Sequence, residues 1–189
     1  NRMTKSLDSP ANMTILSSRK AETIEIENLS VVLHGQSFAT QHVDENLATK
    51  FPAAEKGMFN IGLLHTSLDG REGHDVYAPC SATDLRSKGY NYWALGHIHK
   101  QEFVSEDPWI VFPGCIQGRH IRETGAKGGV LVTVVDGAVS AVDKYPLDVL
   151  RWVECHVELT DVYEMRDVLE RTRKSIENER TLADGRPMA

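Results

Sequence analysis

Gly96-His97-Ile98-His99 follows directly on the apolar run Tyr92-Trp93-Ala94-Leu95, and this junction constrains the chain more than any other feature. Bulky apolar residues that close on glycine describe a buried strand entering a tight loop. Two imidazoles at i and i+2 then project from the strand end. Imidazole is the commonest side-chain ligand for transition metals at neutral pH. Upstream, Phe59-Asn60-Ile61-Gly62-Leu63-Leu64-His65-Thr66 repeats the arrangement, an apolar strand ending in histidine. Two strands that each deliver histidine at their carboxyl ends are what a metal centre on an α/β sheet requires.

Length and composition narrow the class. The chain has 189 residues, enough for one domain or one domain plus a fragment, and 41% hydrophobic with 25% charged residues is the balance of a globular protein. No stretch approaches the roughly 20 apolar residues of a membrane span, and nothing resembles a signal peptide, so the expectation is a cytoplasmic protein with no membrane partner. The three cysteines, Cys80, Cys115 and Cys155, form no C-x-x-C pair. That spacing argues for a reducing compartment, against both a disulfide framework and a cysteine zinc site, and for three structural thiols.

A formal net charge of −6 argues against a dedicated electrostatic binder of nucleic acid. Residues 114–129 run the other way, with Arg119, Arg122 and Lys127 against the single acid Glu123, and His120 beside them. Phosphate recognition at one loop is therefore compatible with the acidic whole. The chain opens on Asn1-Arg2-Met3 and closes on Asp184-Gly185-Arg186-Pro187-Met188-Ala189, and both ends read as cut.

Periodicity predicts strands over residues 13–17, 22–29, 30–35, 59–64, 92–95, 109–112, 129–135, 138–145 and 153–159. Asp136-Gly137 between two β-branched runs predicts a hairpin. A short helix is expected within residues 39–54, and Ser81 is expected to cap another running to about Ser87. Asp161 is expected to cap a long amphipathic helix to about Glu179, with Val162, Met165, Val168, Leu169, Thr172 and Ile176 at helical spacing. A domain boundary is expected at 148/149.

The order G-L-L-H-T, an acidic glycine loop, Y-W-A-L-G-H-I-H and V-F-P-G resembles the calcineurin-like metallophosphoesterases, in detail their DNA-repair exonuclease branch of SbcD-like and YhaO-like proteins. The resemblance runs from Asn1 to about Tyr145. It is closest to the YhaO-like group over Asp69-Gly70-Arg71-Glu72-Gly73-His74-Asp75 and Gln117-Gly118-Arg119-His120-Ile121-Arg122-Glu123. It implies an α+β fold: residues 1–148 as the C-terminal half of the nuclease domain, the second half of a four-layer αββα sandwich, and residues 149–189 as the beginning of a small α+β capping domain.

The family builds its site from five motifs, and this sequence holds the last two. D-x-H, G-D-x-x-D and G-N-H-D/E are not found in it. What the resemblance implies is phosphodiester hydrolysis of DNA by a two-metal mechanism, manganese being the habitual ion, with His65, His97 and His99 as metal ligands and catalytic residues. His74, Arg119, His120 and Arg122 are candidates for substrate contacts. Bridging carboxylates belong to the motifs not found, so the chain by itself is expected to be inactive. A coiled-coil ATPase is the implied partner in the SbcD-like branch, and self-association through an exposed sheet face is expected of half a sandwich. Two other classes remain open from the residues: a self-contained mononuclear His₃ zinc hydrolase, and a non-catalytic adaptor whose metal site has decayed.

Overall fold

The computed structural model describes residues 10–40, 42–70 and 77–189. The chain divides into two compact units, Asn1–Tyr90 and Asn91–Ala189.

In the first unit β1 (Glu22–Ile26) turns through a 3-10 segment at Glu27–Leu29 into β2 (Val31–Gly35), and the two pair antiparallel. β3 (Phe59–His65) lies parallel to β2, with Val31 opposite Phe59 and Gly35 opposite Leu63. Parallel neighbours need a long crossover. Residues 36–58 supply it, including a 3-10 turn at Leu47–Lys50 whose Leu47 and Ala48 are buried. α1 (Ala82–Arg86) is a short helix with a complete capping box: Ser81 Oγ accepts the Asp84 N–H, and the Asp84 carboxylate accepts the Ser81 N–H. Val32, Phe51, Leu64, Leu68 and Leu85 form the core.

His34 is buried in that core, stacked 4.5 Å from the Tyr90 ring. Asn60 Nδ2 donates to the carbonyls of Glu55 and Met58, which leaves Oδ1 as acceptor for the Glu55 N–H and for His34 Nε2. Nε2 thus carries the proton, and Nδ1 accepts from Thr23 Oγ1.

In the second unit β4 (Tyr92–Gly96) runs parallel to β6 (Trp109–Phe112), which takes β5 (Glu102–Glu106) antiparallel on its far side, with a bulge between Phe103 and Ser105. β7 (Gly128–Val135) and β8 (Ala138–Pro146) form a separate two-stranded hairpin, joined by Asp136-Gly137 in left-handed conformation. α2 (Met165–Leu182) follows. Mixed strand pairing with few helices makes the class α+β, as expected.

Several local expectations are corrected. Residues 13–17 and 153–159 alternate in polarity but form no strand, because alternation alone supplies no partner for the ladder. β5 is a strand the pattern did not announce; its charged ends, Glu102 and Glu106, mask it. α2 begins at Met165 with Glu164 as an N-cap that makes no side-chain bond, while Asp161 adopts φ 59°. None of its residues is buried, and Met165, Leu169, Ile176 and Leu182 are exposed. Cys80 is buried, Cys115 intermediate and Cys155 exposed, so one thiol of the three is a core group.

The residues after β8 are held to this unit by polar contacts. Gln117 Oε1 accepts the N–H of Val149 and of Leu150, and Trp152 Nε1 donates to the Gly118 carbonyl. Asp148 and Arg151 form a buried bidentate pair at 2.9 and 3.1 Å, with Arg186 Nε 3.2 Å from the same carboxylate.

Candidate metal and phosphate site

β4 positions the histidine pair. Trp93 and Leu95 are fully buried and anchor the strand, and Ile98 is buried just beyond it. His97 and His99, on either side of Ile98, are intermediate and exposed respectively. The backbone at His97 has φ 107°, a region that a side chain with Cβ rarely adopts. Strain of this kind costs on the order of 1–3 kcal/mol and gathers at functional positions. The V-F-P-G turn after β6 clamps the loop from the other side, where the Cys115 N–H donates to the His99 carbonyl. Gly114, at φ 79°, admits that approach, since a Cβ there would lie 2.9 Å from the same oxygen.

His99 Nδ1 lies 2.6 Å from Glu123 Oε1, and Glu123 Oε2 accepts the Arg119 backbone N–H at 2.7 Å. His120 Nε2 stands 3.7 Å from the same carboxylate. The Arg119 N–H, then His99 and the nearby His120, hold the Glu123 carboxyl below the usual carboxylate range against the opposing pull of burial. An ionised carboxylate on Nδ1 fixes the tautomer with the proton on that nitrogen, leaving the Nε2 lone pair as the donor. Carboxylate–histidine pairs of this type are the usual support of metal-binding imidazoles.

Arg119 Nη2 stands 3.1 Å from Nδ1 and 3.2 Å from Nε2 of His99. Near-equal distances to both ring nitrogens put the guanidinium against the ring face. It is an exposed side chain, with Nη2 also 3.9 Å from Glu123 Oε1. His120 Nδ1 accepts the Arg122 N–H at 3.3 Å. His99, Arg119 and His120 are therefore brought around Glu123, and Arg122 joins them through its backbone N–H. Glu123 is the member of this cluster that residue patterns missed; its one trace in the sequence is being the single acid in a basic stretch.

His65 closes β3 in the first unit, exposed, with Phe38 and Tyr77 edge-on to its ring at 5.3 and 6.4 Å. Both upstream and downstream histidines thus stand at carboxyl ends of strands. His74 lies outside the described residues. Among the described residues no group of three or more His, Cys, Asp or Glu side chains is gathered to hold an ion. The His99 imidazole, backed by a buried carboxylate, suits a divalent transition metal as one ligand of a coordination sphere.

No protein-family model matches the chain. Over 134 residues, 70% of its length, it is 42% identical to a protein of Bacillus subtilis (strain 168) named "Uncharacterized metallophosphoesterase YhaO". The matched part spans about a third (33%) of that relative's own length. Over 70% of its length, then, this chain is similar in sequence to a protein that carries the name metallophosphoesterase.

Proposed function

We propose that the chain supplies the histidine ligands of a two-metal phosphodiesterase that degrades DNA as a cytoplasmic exonuclease, with Mn²⁺ as the metal. The observation that carries this reading is the His97–Ile98–His99 loop: a strained backbone at the first imidazole and a buried carboxylate behind the second. Homology to a metallophosphoesterase supports the reaction class.

Divalent ions, when bound, supply Lewis acidity that polarises the phosphodiester. The chain's own residues do the rest of the work assigned to them here. His65, His97 and His99 hold the ions through neutral nitrogens. Glu123 keeps the His99 proton on Nδ1 and so keeps Nε2 available. Arg119 leaves the ring face for a phosphate oxygen, where its planar fork gives a charge-assisted contact. His120 and Arg122 line the approach, and His74 belongs to the same set of substrate contacts. Residues 149–189 form the beginning of a capping domain in this reading, a coiled-coil ATPase is its partner, and an exposed sheet face supports self-association.

Two divalent cations about 3.5–4 Å apart need anionic bridging ligands. Imidazole ligands bring no negative charge, and the D-x-H and G-N-H-D motifs that would bring carboxylates are not in this sequence. The test is hydrolysis of a linear duplex and of bis-p-nitrophenyl phosphate in millimolar Mn²⁺. The 189-residue chain is expected to turn over little or nothing. A longer chain that carries both motifs is expected to cleave both substrates and to lose that activity on His65→Ala or His97→Ala. Full turnover by the 189-residue chain would overturn the two-metal reading in favour of a self-contained zinc hydrolase.

A further inference from the structure

A cavity of about 290 Å³ opens in the second unit beside His99, and Lys100, Lys127 and Lys144 line it together with Tyr145. No Asp or Glu contributes to its lining among the described residues. Three lysines in the lining of one small cavity are unexpected in a chain whose net charge is −6, and they favour an anion there.

The cavity is held by the fold. Gly128 opens β7 opposite Pro146 at the end of β8, and the strands approach so closely there that a Cβ on Gly128 would fall 2.0 Å from the Tyr145 carbonyl. The Leu147 and Asp148 N–H groups both donate to the Lys127 carbonyl, at 2.9 and 3.2 Å. Lys127 is thereby fixed at one end of the hairpin and Lys144–Tyr145 across from it. Lys144 Nζ rests 5.6 Å from the centre of the Phe103 ring, outside the cavity lining, so Lys144 lines the cavity without its head group and the cationic side belongs to Lys100 and Lys127.

Tyr145 distinguishes this from a plain anion site. It is largely exposed, at 57%, in a wall that also carries Lys100 and Lys127. Cations that track phosphates beside an aromatic face that accepts a base are the two parts of a single-strand nucleic-acid site. The volume sits at the small end of ligand clefts, about 300–1,000 Å³, which suits one nucleotide and excludes a paired duplex.

We propose that this cavity binds one nucleotide of a single nucleic-acid strand, with its phosphate between Lys100 and Lys127 and its base on Tyr145. The assignment rests on the phosphodiesterase reading for one point, that the strand continues from here to the phosphate presented at His99. Binding itself needs no metal and no turnover.

The experiment is fluorescence anisotropy of the full chain with a labelled oligothymidylate in EDTA, titrated over a range of salt. Binding is expected, with log K falling linearly in log salt. Lys100→Ala and Lys127→Ala should each reduce the slope by about 0.7. Tyr145→Ala should weaken binding about five-fold or more, and Tyr145→Phe should restore it, while Lys174→Ala on α2 leaves it unchanged. Absence of binding, or binding that none of the cavity variants alters, would overturn the assignment. So would a site that inorganic phosphate empties at low millimolar concentration without any effect of Tyr145→Ala, since that is an anion site only. Hydrolysis assays judge the other reading separately. No cleavage by a longer chain carrying the carboxylate motifs, with strand binding intact, removes the phosphodiesterase and leaves the cavity standing; the reverse removes the cavity alone.

Discussion

His99 and Glu123, separated by 24 residues, meet through a 2.6 Å contact between Nδ1 and Oε1. The carboxylate is 8% exposed and the imidazole 50% exposed, so the supporting end is buried and the donating end faces outward. Glu123→Gln replaces an ionised acceptor by a neutral amide and releases the tautomer. Ring nitrogen NMR shifts of His99 are expected to move from a fixed Nδ1–H form toward a tautomer mixture. Mn²⁺ affinity of a metal-binding form of the protein should fall about 10–100-fold. Unchanged ring shifts would rule out a positioning role for Glu123.

Asp148 is buried and answers two arginines. Burial works to raise its carboxyl, but the Arg151 hydrogen bond, the Arg151 charge and Arg186 together hold it below the ordinary carboxylate value. Asp148→Ala strands Arg151, itself buried, and is expected to cost about 3–5 kcal/mol in denaturant unfolding. The pH dependence has a definite sign. The pair's contribution is complete above the unfolded value of about 3.9. It is lost as pH falls through the lower folded value, because the unfolded chain takes up the proton first. A shallower acid limb in Asp148→Ala is the expected result.

The Asn60 side chain bonds the Glu55 N–H, His34 Nε2 and the carbonyls of Glu55 and Met58. Asn60→Ala leaves His34 and the turn before β3 with buried unpaired groups, and a loss of roughly 2–4 kcal/mol is expected. A change under about 0.5 kcal/mol would show that water replaces the amide.

Burial pushes the Cys80 thiol up to about 11, partly offset by the Thr66 hydroxyl. Cys155 is exposed. With a disulfide reagent at pH 8 the order of modification should be Cys155, then Cys115, then Cys80, the last only on unfolding, read by mass spectrometry of digested protein.

What could be read in the sequence was whatever is decided locally. The strands at Phe59 and Tyr92, the Asp136-Gly137 hairpin and the Ser81 cap each depend on residues within a few positions, and each forms. Residues 153–159 show the limit: their alternation is that of a strand, but pairing is settled by what lies alongside. The long helix was legible as an amphipathic pattern, yet Leu169 and Ile176 remain exposed, because periodicity says which face is apolar and not what covers it. The same division runs through the candidate site. His97 and His99 declare themselves by spacing, whereas Glu123 acts across 24 residues and belongs to no local motif. The lysine cavity draws Lys100, Lys127 and Lys144 from three separate segments, and only the β7–β8 register brings the last two together.

The positive φ of His97 sets folding and chemistry against each other at a single codon. At ordinary positions alanine is more stable than glycine by about 0.5–1 kcal/mol. At φ 107° that order should invert, and His97→Gly is expected to melt above His97→Ala. Random substitution, filtered for stability alone, would drift toward glycine here. An imidazole persists at this bend only where selection for something other than a settled backbone retains it.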